Sequence, residues 1–206
     1  MRSIQKILLE SHKWAENDHK LEIYFKYIEV KVENCVYIIS GPPGVGKSTV
    51  SKELAYSFDK SAVIEGDMIY LMIKGGLVAP WEDDGFYMDL FWDNIISLTN
   101  NFLNSGITVV IEYVIFEDQL KKIAAFLKEK QIKLKYCVLI AEEETLKDRD
   151  SSRKEIERTG DLSIQARNEF LSKKIDKNHL LYTDDLDIKE TAQIIKTTNQ
   201  FLISEQ

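Results

Sequence analysis

Residues 41–48 read GPPGVGKS, which satisfies G-x-x-x-x-G-K-[ST] at every fixed position. The octapeptide sits between a short apolar run, CVYIIS, and a helix-forming stretch, STVSKELAYSF. A chain with this spacing must leave a buried strand, curl through a glycine loop and enter a helix. Gly41, Gly44 and Gly46 let the backbone curl without Cβ clashes. The curl points N–H groups inward, and the following helix adds its positive end, which together favour bound phosphate. Lys47 can then reach the β- and γ-phosphates, while Ser48, with Thr49 behind it, puts a hydroxyl where Mg²⁺ would sit. Gly41, Pro42, Pro43, Gly44, Val45, Gly46, Lys47, Ser48 and Thr49 are therefore expected to hold a nucleoside triphosphate, ATP with Mg²⁺. An incidental tight turn explains neither Lys47 nor Ser48.

Beyond the loop, strand and helix patterns alternate. Further strands are expected at 62–65, 107–113, 134–141 and 179–183, and helices at roughly 47–57, 86–104, 117–130, 142–156, 162–176 and 187–202. That alternation predicts a parallel α/β sheet with helices on its faces. Residues 4–15 carry Ile4, Ile7, Leu8 and Trp14 on one helical face, and residues 21–32 look extended. Residues 1–33 thus read as an N-terminal helix and strand added to a domain spanning 34–206, and as a candidate dimer or sheet-edge element.

Composition narrows the partners. The formal charge of −7 works against nucleic-acid phosphate and anionic lipid as general partners, and no basic run offsets it. No apolar run approaches the roughly 20 residues that span a bilayer, and the charged N-terminus is not a signal peptide, so a cytoplasmic location is expected. Cys35 and Cys137 lie in apolar strand-like runs and are expected to be buried free thiols. His12, His19 and His179 form no ligand cluster, and no N-K-x-D guanine motif is present.

Four further segments carry polar groups at strand ends: AVIEGDMI at 62–69, TVVIEYV at 108–114, ETLKDRDSSRK at 144–154 and LLYTDDLDIKETAQII at 180–195. With the loop, their layout over about residues 35–200 resembles the small-molecule kinases of the phosphate-loop class: chloramphenicol phosphotransferase, gluconate kinase, shikimate kinase and adenylyl-sulfate kinase. The resemblance implies a P-loop NTPase three-layer α/β/α fold with a parallel five-stranded sheet in the order 2-3-1-4-5. It implies that Asp67 orients the acceptor hydroxyl and takes its proton, that Glu65 and Glu112 join Ser48 around the metal, and that Arg149 and Arg153 sit in a lid that closes over the triphosphate. Arg149 and Arg153, four residues apart, are expected on one helix face, with Arg158 as a further candidate. Asp67 has a plainer alternative use as a helix cap, and Glu112 as a polar strand end. The loop at 183–186 would border the adenine.

The acceptor segment of such kinases corresponds to residues 68–106. Here it holds one cation, Lys74, against Glu82, Asp83, Asp84, Asp89 and Asp93, and no arginine. Arginine is the usual fork for phosphate or carboxylate, so a small neutral or cationic hydroxyl compound is the expected acceptor. Tyr70, Trp81, Phe86, Tyr87, Phe91 and Trp92 could line its pocket, although Phe91, Ile95, Leu98 and Phe102 share the spacing of a helix core stripe. The expected function is an ATP-dependent phosphotransferase. A nucleoside, nucleotide or nucleotide-sugar kinase and a nucleotide-dependent switch ATPase are the alternatives.

Overall fold

The computed structural model describes residues 34–80, 82–173 and 175–203. Five strands form one parallel sheet: β1 (Cys35–Ser40), β2 (Ser61–Glu65), β3 (Thr108–Glu112), β4 (Lys133–Ile140) and β5 (Leu180–Tyr182). Their order is β2-β3-β1-β4-β5, so the strand that feeds the glycine loop is central and the expected 2-3-1-4-5 order holds. Among the described residues seven α-helices connect or follow them: α1 (Lys47–Tyr56), α2 (Gly66–Tyr70), α3 (Phe86–Asn104), α4 (Lys121–Glu129), α5 (Glu143–Ser151), α6 (Asp161–Ser172) and α7 (Ile188–Thr197). Among the described residues no helix is long and apolar enough to cross a membrane. The expected N-terminal helix and strand at 1–33, and Trp81, lie outside the described residues.

Strand residues alternate between faces, and both faces of this sheet are covered. Val36, Ile38, Val109, Ile111, Val138 and Ile140 join Phe91, Trp92 and Ile95 of α3, Ile123 and Leu127 of α4 and Phe170 of α6 in one core. Cys35, Tyr37, Ile39, Val110, Cys137 and Leu139 join Val50 and Leu54 of α1, Leu146 of α5 and Ala192 and Ile195 of α7 in the other. Doubly covered strands explain why CVYIIS is apolar at nearly every position. The Phe91–Ile95 part of the aromatic stripe is core, with Leu98 and Phe102 packed at its margin.

Several boundaries differ from the sequence reading, for local reasons. The helix expected to run to 156 ends at Ser151, because Ser151 and Ser152 turn their hydroxyls onto the Asp148 carbonyl at 2.8 and 2.9 Å and compete with the helix ladder. The last helix stops at Thr197, where Lys135 reaches from β4 to the carbonyls of Ile195 and Lys196 at 3.2 and 2.6 Å. His179 lies in a short 3-10 turn before β5, not in the strand.

Cys35 and Cys137 occupy neighbouring strands and both are buried free thiols. Cys137 is in register with Ile39, four residues beyond Cys35, which at about 3.3 Å per residue is roughly twice the reach of a disulfide. Burial also pushes the Cys137 thiol far up. We therefore expect neither thiol to react with an aromatic disulfide reagent in the folded protein and both to react at once in denaturant. A fast thiol in native buffer would contradict this packing.

Candidate active site

The ends of β1, β2 and β3 build the site. Gly41, Gly44 and Gly46 all take positive φ, at 135°, 85° and 107°. A Cβ at Gly41 would run into the Leu139 carbonyl of β4, so the loop can leave the sheet here only as glycine. The curl folds Lys47 back so that its ammonium donates to the Pro42 carbonyl at 3.1 Å. Lys47 is 8 % exposed. Burial pulls its ammonium below the ordinary lysine value, Glu112 and Asp67 partly offset this, and Arg153 adds to the lowering.

Glu112 ends β3 and pairs in register with Ile39 of β1 and Glu65 of β2, which sets the two carboxylates side by side. The Ser48 hydroxyl donates to Glu112 Oε2 at 3.2 Å. Burial raises the Glu112 carboxyl above its usual range, and Lys47 opposes that rise. Glu65 is half exposed and paired with Lys52 at 3.0 Å. Hydroxyl and carboxylate oxygens are the donor set that suits Mg²⁺, so Ser48 and Glu112 fit the expected ion. Among the described residues no three His, Cys, Asp or Glu side chains form a ready metal cage. A magnesium ion here would therefore depend on nucleotide oxygens as well.

Asp67 stands in the first turn of α2, but the cap position belongs to Glu65, and no side chain caps this helix. The plain use of Asp67 as a cap is thus absent. Its charge acts on Lys47, Glu112 and Tyr113. Gly66 separates the two acids, and a Cβ there would lie 2.6 Å from Tyr113 Cδ2. That contact explains the glycine inside E-G-D.

Arg149 and Arg153, expected together in a lid, part company. Arg149, on α5, forks across the loop: Nη1 donates to the Val45 carbonyl at 2.9 Å and to Thr183 Oγ1 at 3.2 Å, and Nη2 donates to the Thr183 carbonyl at 3.0 Å. It ties the phosphate loop to the loop after β5. Arg153 lies beyond the end of α5 and acts on Lys47. They do not share a helix face, because the helix ends before Arg153. Asp150 knots the segment between them and α6, accepting from Thr159 N, Thr159 Oγ1 and Gly160 N at 2.8, 3.0 and 2.9 Å. Arg158 donates to the carbonyls of Arg153 and Ser151, and so braces the segment after α5 from within.

Two features escaped the sequence reading. Arg167 is buried on α6 and donates to the Ala141 carbonyl and to Glu142 Oε2, both at 2.7 Å, at the end of β4. Its sequence signal was its place on the buried stripe Ser163, Arg167, Phe170. In the acceptor segment, Asp83 accepts from Tyr87 N and Met88 N at the start of α3, and Asp89 and Asp93 pair with Lys122. Asp84 accepts from Phe86 N at 3.3 Å, so four of the five acids counted there have structural partners.

The chain belongs to the AAA domain family, whose model matches residues 38–171. No curated protein sequence matches it. Among solved structures it is similar in fold to the Deinococcus radiodurans tunicamycin resistance protein, at 17 % identity and TM-score 0.55, with 78 % of this chain and 92 % of that one covered. It is similar to a gluconokinase from Sinorhizobium meliloti 1021, at 17 % identity and TM-score 0.53, covering 80 % and 93 %. The Mycobacterium tuberculosis APS kinase CysC, in complex with AMPPNP and APS, gives 14 % identity and TM-score 0.53, covering 78 % and 95 %. The fold is the phosphate-loop α/β/α fold shared by these small-molecule kinases.

Lys47 and Glu112 make the unliganded site costly. The raised Glu112 value means stability that is fully present below the ordinary carboxylate range and lost as pH rises through the folded value. The lowered Lys47 value means stability gained as pH rises through the folded lysine value. Neutralising both groups removes two burial penalties, whereas removing one strands the other. The double variant Lys47→Met/Glu112→Gln should therefore melt at or above the wild-type temperature at neutral pH without ligand, and each single variant should melt below the double. Thermal unfolding of the four proteins checks this; a double variant less stable than either single would contradict it.

Proposed function

We propose that this protein is an ATP-dependent phosphotransferase that moves the γ-phosphoryl group of ATP to a hydroxyl of a small, neutral or cationic molecule. The observation that carries the reading is Asp67. Its charge acts on Lys47 and its side chain has no capping task in the fold, and transfer to a hydroxyl needs an orienting acid–base group.

In this reading the phosphate-loop amides and Lys47 cradle the triphosphate. Ser48, with Glu112 behind it and Glu65 alongside, would hold Mg²⁺, which supplies charge neutralisation on the phosphates. Asp67 accepts the hydroxyl proton and aims the oxygen at the γ-phosphorus. The new bond joins that oxygen to phosphorus, the bond to the β–γ bridging oxygen breaks, and ADP leaves. Arg153 adds positive charge where the equatorial oxygens gather it. Arg149 fixes the loop against the segment that would border the adenine.

The solved gluconokinase and APS kinase support a hydroxyl acceptor through their shared fold. The absence of arginine from residues 68–106 favours an acceptor without phosphate or carboxylate, and so weighs against a nucleotide or nucleotide sugar. A switch ATPase has no use for a base beside the γ-phosphate.

Asp67→Asn keeps the side-chain size and loses the charge. Near-normal Mg·ATP affinity is expected, with a fall in acceptor-stimulated ATP consumption of about 10²- to 10⁴-fold. The measurement is ATP affinity beside ATP consumption over a panel of hydroxylated metabolites and antibiotics. If no hydroxyl compound stimulates the wild type, and Asp67→Asn consumes ATP as the wild type does, a switch replaces the kinase.

A further inference from the structure

Three tyrosines cluster around α2 and the start of α3, and the fold uses the hydroxyls of two. Tyr70 donates to the Val78 carbonyl at 3.0 Å and Tyr87 to the Gly76 carbonyl at 2.8 Å, pinning the loop between α2 and α3 from both sides. Tyr113, the residue after Glu112, has no hydrogen-bond partner for its hydroxyl among the described residues, and that oxygen still reaches solvent although the side chain is buried. Buried tyrosines ordinarily find a partner for this group. Tyr136, inside the core, gives its hydroxyl to the Ile115 carbonyl at 2.7 Å.

The Tyr113 ring is held rigidly. It packs against Phe91 with centroids 4.7 Å apart and lies against Gly66, where no side chain could fit. Its backbone N–H donates to the Ile39 carbonyl at 3.3 Å, beside the phosphate loop. A phenol is protonated at neutral pH, so this hydroxyl can act as a donor. Asp67 is the residue after the glycine that this ring touches.

We propose that the Tyr113 hydroxyl is an acceptor-binding group that donates to a second, neutral oxygen of the phosphoryl acceptor, next to the hydroxyl that Asp67 orients. The proposal rests on the phosphotransferase reading and deepens it. A fixed donor beside a fixed carboxylate selects two neighbouring oxygens: one that gives its proton to Asp67 and one that receives a hydrogen bond from Tyr113. An anionic second oxygen is excluded by the adjoining Asp67 and Glu112 charges, with no arginine in residues 68–106 to compensate. The acceptor class is thus a vicinal diol, hydroxy ether or hydroxy ketone. Met68 and Met72, both exposed on α2 and the turn that ends it, provide apolar surface beside Asp67 for the rest of the molecule.

The test compares wild type with Tyr113→Phe, using styrene glycol and phenethyl alcohol as probes, since they differ only by the second hydroxyl. The wild type should prefer the glycol in kcat/KM by about tenfold, the scale of one neutral hydrogen bond. Tyr113→Phe should level the two probes by raising KM for the glycol more than it lowers kcat. Mg·ATP affinity and the melting temperature should stay at wild-type values, which a merely structural loss would not allow. The Cζ-labelled Tyr113 resonance, assigned by its absence in the Phe variant, should shift as the glycol is added. A glycol preference retained in the variant, or a resonance that the glycol leaves unmoved, overturns the proposal. So does a vicinal diol, hydroxy ether or hydroxy ketone that both proteins turn over with equal KM, and that result leaves the phosphotransferase reading standing. A wild type whose ATP consumption no hydroxyl compound stimulates removes both.

Discussion

An ammonium out of water is unstable unless negative groups surround it, and the carboxyl ends of β1, β2 and β3 are arranged around the ammonium of Lys47. The curl of the loop brings Lys47 back over Pro42. The register of β3 against β1 then brings Glu112 to the level of Ile39, near enough for its charge to act on Lys47 and its oxygen to accept from Ser48. Burial still outweighs these partners for both groups. Binding and stability are linked through this pair, and a ligand that satisfies both groups should stabilise the fold in proportion to its affinity.

Around that centre the fold separates two tasks. Arg149 and Arg167 are structural clamps at the nucleotide end, both spending guanidinium hydrogens on backbone carbonyls. Arg153 lies beyond the early stop of α5, and its charge acts on Lys47. Asp150 makes that division possible by tying the end of α5 to the start of α6. On the other side, Tyr70 and Tyr87 fix the loop between α2 and α3, and Gly66 lets Tyr113 lie flat against the turn that carries Asp67.

The sheet order and both faces of the core were legible because alternating apolar strands and amphipathic helices leave few arrangements. The glycine loop was legible because its fixed positions and its strand–helix setting agree. The end of α5 was not, since the hydroxyls of Ser151 and Ser152 decide it by bonding locally, which no periodicity reveals. The net charge of the acceptor segment misled in part: Asp83, Asp89 and Asp93 are committed to a helix start and to Lys122. Nothing in the sequence pattern sets Tyr113 apart. Its distinction lies in what its hydroxyl lacks, which only the packing of Phe91 and Gly66 around it makes visible.

The most direct measurement follows the γ-phosphate itself. Phosphorus NMR of the protein with Mg·ATP and the hydroxyl panel distinguishes transfer to an alcohol from transfer to water. A phosphomonoester signal equal in amount to the ADP formed is expected with at least one neutral or cationic acceptor. Inorganic phosphate alone, in the presence of every acceptor offered, would contradict phosphoryl transfer to a hydroxyl as the chemistry of this site.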